Sequence, residues 1–376
     1  MSYENASDNL ISQATYAKAL RPLLPPAAFI PDQEKLLIIV INLAILILGW
    51  SIAKQLAPWS MARIGAFLPL AVIMANSVIT LLFSSHDLFH GSVIHQPRLT
   101  YGLGFLGLTM LWMPPTLWQI VHNRVHHNTT NSLDDPDRNY LFQQPKTWGK
   151  WIQNQVAPSS EVAPWRSILG LPLAWVVYTF RNLTAVLLWN GKPVDYVPAS
   201  FRVKPQDRRQ IMWEFLAILL LHTGVISYLA FQPITLTLAY FLPIGLGYSG
   251  LISYIYTNHL ACPMTPVNDP LINSISVQVP KILDVLHLNF SYHAEHHIFP
   301  GLNSDYYPAV RELLQQHYPE RMGYVLSARA AWQSLRRTPR LYRDQHSFSN
   351  WAGTVTVPCA LGRQETTPAL SPALKT

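Results

Sequence analysis

Fourteen histidines stand in the 376 residues, and eight of them fall into three tight clusters. His86 and His90 lie in HDLFH, His122, His126 and His127 in HNRVHH, and His293, His296 and His297 in HAEHH. On an α-helix, residues three or four apart share a face. His86 and His90 are expected to do so, as are His293, His296 and His297. His122 and His126 pair likewise, with His127 turned away from both. An adjacent pair can thus offer one ring to each of two neighbouring metals. Eight imidazoles exceed the four ligands of one zinc, so they suit two metals with open positions. Imidazole accepts zinc, copper, iron or nickel, so ligand type alone does not choose among them.

Two further histidines are ligand candidates by position. His259 closes an apolar stretch in YTNH, and His287 precedes the third cluster by six residues. Asp87, Asn258 and Glu295 stand within or beside the clusters, where polar groups commonly orient a ligand ring through its other nitrogen. Asp134, Asp135 and Asp137 surround a proline in LDDPDRN and read as a turn. His95, His317 and His346 are isolated and read as ordinary polar residues. His222 lies inside an apolar stretch, where a helix–helix hydrogen bond is the expected role.

The elements that position these residues belong to a membrane protein. Charged residues make up 12% and hydrophobic ones 49%; soluble chains carry about 25% charge. So apolar a chain buries too much surface to remain disordered. Two cysteines, Cys262 and Cys359, exclude a disulfide framework and a cysteine-based zinc or iron–sulfur site. Four segments reach the ~20 apolar residues that cross a bilayer. They are 34–54, 65–85, 211–231 and 234–256, paired as two hairpins. Residues 101–120, broken by Pro114 and Pro115, read as re-entrant or interfacial. Residues 167–189 carry Arg181 and are the weaker candidate for a fifth span.

Of the 27 Lys and Arg, only Lys54 and Arg63 lie near the hairpin turns. The positive-inside bias puts both termini and the long loops in the cytoplasm. All three clusters then meet on one face. The net charge of +7 suits anionic headgroups rather than nucleic acid. MSYENASDNL has no basic or apolar signal region, so no cleaved signal peptide is expected. Residues 1–33 form an amphipathic arm, and 34–345 the catalytic domain. Residues 321–343 hold six Arg and no acid, which suits headgroups, solvent or an acidic ferredoxin. The stretch 346–376, rich in Pro, Ser and Thr, is expected to be poorly ordered.

HDLFH, HNRVHH and HAEHH resemble the three histidine boxes (HX3H, HX3HH, HX2HH) of the integral-membrane fatty acid desaturase superfamily. The likeness extends over about 34–310 and includes box order, intervening spans and HHIFP after the third box. The resemblance implies an all-α fold: four spanning helices under a cytoplasmic helical cap holding a non-haem diiron centre. It carries the ligands onto His86, His90, His122, His126, His127, His293, His296 and His297. His259 looks like the extra ligand of acyl-CoA desaturases, although Ile255 stands where their Asn is found. Front-end desaturases typically begin the last box with Gln; here it is His293, and no HPGG motif is present.

The implied activity is insertion of a C=C bond into an acyl chain, using O2 and two electrons at two iron ions. Electrons must come from a separate donor such as ferredoxin, and the acyl lipid or thioester from the membrane or its surface. Trp112, Trp118, Phe290 and Tyr292 flank the boxes and are candidates to line the site, although Trp112 and Trp118 equally suit an interface belt. A carotenoid or lipid hydroxylase or ketolase shares such boxes and is the alternative enzyme. A membrane metal transporter is the alternative of another class, but it would place ligands near the bilayer midplane.

Overall fold

The computed structural model describes residues 10–146 and 149–361. The arm begins with α1 (Gln13–Leu20) and three short 3-10 turns. α2 (Leu36–Leu56) carries an apolar run with no charge before Lys54 and stops before Pro58, which cannot continue it. Ser60 then accepts the Arg63 N–H, opening α3 (Met61–Phe89). α4 (Pro97–Thr109) ends before Pro114, and α5 (Pro115–Trp118) runs into a π-helix, Gln119–His126, followed by α6 (His127–Thr129). The expected interruption in 101–120 is therefore a break between two helices.

α7 (Gly149–Val156) and α8 (Pro164–Thr184) precede α9 (Pro205–Tyr228), α10 (Pro233–Leu236) and α11 (Leu242–His259). Pro205 and Pro233 sit at first helical positions, where a missing N–H costs nothing. α12 (Pro270–Asn273), α13 (Lys281–Leu286), α14 (His293–Ile298), α15 (Tyr307–His317) and α16 (Ala328–Arg337) make the region beyond. β1 (Ser276–Gln278) pairs parallel with β2 (Val325–Ser327). β3 (Leu341–Tyr342), β4 (Ser347–Ser349) and β5 (Thr356–Pro358) form a small antiparallel sheet.

That sheet corrects one expectation. Residues 346–361 are folded, with Phe348 buried against Tyr140 and Tyr342 at ring distances of 5.3 and 4.5 Å. Strands of two or three residues are too short to display a period-2 pattern, so the polar composition masked them. The rest of that stretch, 362–376, and residues 1–9 lie outside the described residues.

Five helices are long and apolar enough to cross a membrane: Gln33–Leu56, Met61–Phe89, Pro164–Trp189, Pro205–Tyr228 and Pro233–His259. Four coincide with the expected spans. The fifth, α8 with its π-helical extension, exposes Trp165, Leu169, Leu173, Val176 and Phe180 along one stripe. Its other face buries Leu171, Trp175, Tyr178 and Asn182.

The two hairpin turns lie together at one end of the bundle. Trp50 Nε1 donates to Ala239 O at 3.1 Å and Trp59 Nε1 to Thr235 Oγ1 at 2.8 Å. Arg63 is held there by the carbonyls of Leu56 and Pro58. The C-terminal ends of α3 and α11, carrying His86 and His259, meet at the other end. α3 and α11 approach closely because Gly247 faces α3. A Cβ at Gly247 would lie 2.7 Å from Val78 Cβ and 3.0 Å from Ala75 O. Small residues serve this purpose in membrane helices. Gly247→Val should lower stability by about 1–3 kcal/mol through overpacking; an unchanged Tm in detergent would refute the close approach.

Candidate metal centre

Nine buried or nearly buried imidazoles converge where α3, the π-helix, α11 and α14 end or begin. His86, His90, His122, His127 and His296 bring ligand nitrogens within 4.8 Å of one another. His126, His259 and His297 form a second such group. His293 adjoins it, with Nε2 2.6 Å from His259 Nε2 and 3.2 Å from His297 Nε2.

The second box departs from α-helical expectation. It lies on a π-helix, whose repeat matches residues five apart. His122 Nε2 and His127 Nε2 are 3.3 Å apart, while His126 turns to the second group. The spacing of the box predicted that His127 would point away from His122; the wider turn brings them together. Adjacent residues still divide between the groups, His126 from His127 and His296 from His297. His122 and His126 also lie within 4.8 Å of Asp137 through their ligand atoms.

The rings are fixed from behind. His86 Nδ1 lies 3.1 Å from Asp87 Oδ1, His122 Nδ1 3.1 Å from Asp137 Oδ2, and His126 Nδ1 2.9 Å from Asp135 Oδ2. His296 Nδ1 meets the Tyr307 hydroxyl at 2.9 Å, and His259 Nδ1 the Asn273 carbonyl at 3.2 Å. His297 Nδ1 lies 3.3 Å from Thr130 Oγ1. A proton held on Nδ1 leaves the Nε2 lone pair free for a metal.

Asp135 and Asp137 stand in the expected turn. Asp135 Oδ2 also accepts the Asn131 N–H, and Asp137 Oδ1 accepts from the Tyr178 hydroxyl at 2.6 Å. Their spacing after the box, nine residues from His126 and fifteen from His122, was the available signal. Tyr307, Thr130 and Asn273 had no local signal; only folding brings them to the rings.

Burial, then the neighbouring rings, holds His90, His122, His127, His293, His296 and His297 well below the ordinary imidazole range. These rings are neutral, as metal ligands must be. Burial pulls His126 down as well, but the Asp135 carboxylate outweighs it and raises His126. Burial, with Asp135 beside it, pushes Asp137 up to about 6.

The donor set fits metal ions. His86 Nε2 and His90 Nε2 are buried without a hydrogen-bond partner among the described residues. The Nε2–Nε2 separations of 3.2–3.3 Å within the groups match nitrogens about 2.1 Å from a shared ion, which lie about 3.4 Å apart in tetrahedral geometry.

Other candidates lie elsewhere. His287 joins neither group. Its Nδ1 meets the Tyr254 hydroxyl at 2.9 Å and its Nε2 the Asn76 amide oxygen at 3.1 Å, so both nitrogens are engaged away from the cluster. Glu295 orients no ring; it accepts from Ser276, Arg311 and Tyr324 and anchors α14 to the surrounding elements. Asn258 is buried with both side-chain atoms unpartnered among the described residues. His222 bridges helices, to Thr109 O and the Tyr240 hydroxyl. His95, His317 and His346 are exposed.

Beside the rings lies a cavity of about 40 Å³ walled in part by Leu82, Trp118, Tyr178, Ile255 and Phe290. Trp118 stacks on His122, and Phe290 on Phe83 at 3.9 Å. Trp112 and Tyr292 do not line it. Trp112 stacks on His222, and Tyr292 lies under Arg311.

Residues 35–328 match the sequence profile of the fatty acid desaturase family. The chain belongs to that family. It is an oxidoreductase whose buried histidine groups suit a metal. The chain is 22% identical to the sn-1 oleoyl-lipid 12-desaturase of a Picosynechococcus strain over 81% of this chain and 84% of that relative. It is 26% identical to the sn-1 acyl-lipid omega-3 desaturase (ferredoxin) of a Nostoc strain, over 56% and 53%. It is 24% identical to the acyl-lipid (7-3)-desaturase of Diacronema lutheri, over 64% and 54%.

Asp135→Asn should weaken metal binding by about 10–100-fold, the usual cost of losing such a partner. Titration of the metal-depleted protein, read by metal analysis, tests this; unchanged affinity counts against the assigned role. The same assay separates the two extra histidines: His259→Ala should lower bound metal, and His287→Ala should leave it unchanged.

Proposed function

We propose that this protein is an acyl-lipid desaturase with a diiron centre held by His86, His90, His122, His126, His127, His259, His293, His296 and His297. The observation that carries this reading is the pair of adjoining imidazole groups against an apolar cavity, in a desaturase-family chain. The overall change is –CH2–CH2– + O2 + 2 e⁻ + 2 H⁺ → –CH=CH– + 2 H2O. Two irons at these positions supply the O2 activation that side chains cannot. The protein's part is positioning and exclusion of water. Asp87, Asp135, Asp137 and Tyr307 hold the ring orientations. Leu82, Ile255 and Phe290 offer methylenes an apolar wall. At about 40 Å³, the cavity has room for about three waters.

Four spans, with both termini and the site on the cytoplasmic side, agree with this reading. Tyr178 stands near the middle of Pro164–Trp189 yet touches Asp137 beside the rings, level with the ends of α3 and α11. This reading takes Pro164–Trp189 as part of the cap, in keeping with Arg181 buried within it. An external electron carrier is in keeping with the Nostoc relative, which is named for ferredoxin, and an acyl-lipid substrate with all three relatives.

Expression in a host with simple lipids, followed by mass spectrometry of acyl chains, tests the proposal. The expected product is two hydrogens lighter than its precursor, and His296→Ala should abolish it along with bound iron. A gain of one oxygen would instead establish a hydroxylase. Metal uptake into vesicles without O2 consumption would establish a transporter.

A further inference from the structure

The reaction above consumes two electrons per double bond, and a carrier must dock close to the imidazoles to deliver them. Only one step of packing separates α16 from the end of α11 that carries His259. Ala331 of α16 belongs to the same buried apolar cluster as Cys262, Ile275 and Val277. Cys262 N–H donates to His259 O at 3.2 Å, and Ile275 N–H to Asn258 O at 2.8 Å.

α16 is amphipathic in an unusual sense. Ser327 caps it by accepting the Ala330 N–H. Ala331 and Leu335 are buried, and Trp332 packs against the main core. Outward stand Arg329, Gln333, Arg336 and Arg337, all exposed. Positions 329, 333 and 336 recur at helical spacing on one face, with 337 beside it. None of these three arginines has an ion-pair partner among the described residues. Arg321 and Arg340, by contrast, are buried; Arg321 pairs with Asp269 at 2.7 Å, and Arg340 donates to Gln153 O. Arg343 donates to Thr356 Oγ1, so three of the six arginines seen in the sequence are held by bonds within the protein and three face outward. Exposed Glu161, drawn near the helix end by the bond from Ser160 N–H to Thr338 O, sets one negative charge against three positive ones.

We propose that the outward face of α16, through Arg329, Arg336 and Arg337, docks an acidic one-electron carrier protein, two molecules of which are oxidised per turnover. The proposal rests on the desaturase reading. Charge complementarity selects an acidic partner and steers its encounter. A bilayer is the poorer occupant. A helix lying in the interface turns Trp, Phe or Leu outward into lipid, whereas here Trp332 and Leu335 turn inward and the outward large side chains are Arg and Gln.

The test uses the full-length protein with Arg329→Glu, Arg336→Glu and Arg337→Glu combined, and a milder variant with Gln at the same positions. Reduced [2Fe–2S] ferredoxin is the probe, with surface plasmon resonance for binding and fatty acid analysis for turnover. The triple Glu variant should weaken ferredoxin binding and raise its KM at low ionic strength on the order of tenfold or more, with the Gln variant between. The difference should shrink as salt rises, and turnover driven by dithionite should match wild type. Ferredoxin binding unchanged in the Glu variant overturns the surface, whatever the product. Unchanged KM with lost retention on phosphatidylglycerol vesicles also overturns it and assigns the face to lipid. Salt-sensitive binding lost in the variant supports the surface even if wild type makes no desaturated product. In that event the reading of the reaction fails and the surface stands.

Discussion

Imidazoles crowded together with their ring nitrogens aimed at one another are the constraint on which the rest of this structure depends. Nine of them crowd together, with ring nitrogens as close as 2.6 Å between His259 and His293. No pair of lone pairs attracts, and each ring has left water to be there. Burial of so many polar groups is costly without partners, so the surrounding protein must hold them. Carboxylates, a phenol, a hydroxyl and a backbone carbonyl take the outer nitrogens of six rings. A metal is the partner that the inner nitrogens suit.

The scaffold brings the rings together by aligning helix ends rather than by local sequence. α3 and α11 run side by side because Gly247 removes the side chain that would keep them apart. Each delivers a histidine at its C-terminal end. The break at Pro114 and the π-helix after it bend the second box across those ends. Glu214, buried in α9, accepts from Thr116 N–H at 2.9 Å and from the Tyr101 hydroxyl at 2.9 Å, tying the second hairpin to the entry of that box. α14 closes the cluster from the far side, anchored by Glu295 to Arg311 and Tyr324. An acid inside the third box thus stabilises the wall behind the rings instead of the rings themselves.

The region beyond the spans divides its charges by the same physics. Arg321 and Arg340 are buried because carboxylate or carbonyl oxygens receive them. Arg329, Arg336 and Arg337 have no such partner among the described residues and remain in contact with solvent. Composition alone counts these five alike. The N-terminal arm is fixed through this division: Tyr16, buried in α1, receives a hydrogen bond from Arg321, so residues far apart in sequence share one anchor.

The chain's order of residues alone determined the membrane class, the four apolar helices already expected and the three boxes, because hydrophobic length and histidine spacing are local properties. It also marked His259, since a histidine closing an apolar helix is visible in a short window. Tertiary structure decided what local windows cannot contain. It separated His287 from the cluster, since Tyr254 and Asn76 engage both its nitrogens. It recruited Asp135, Asp137 and Tyr307 behind the rings, and it paired His122 with His127 through a π-helix that ideal helical spacing would not produce. It also folded 346–361 into a sheet whose short strands carry no readable period. In each case the deciding contact joins segments apart in the chain, or bends the backbone away from its standard repeat, and that information exists only once the chain is packed.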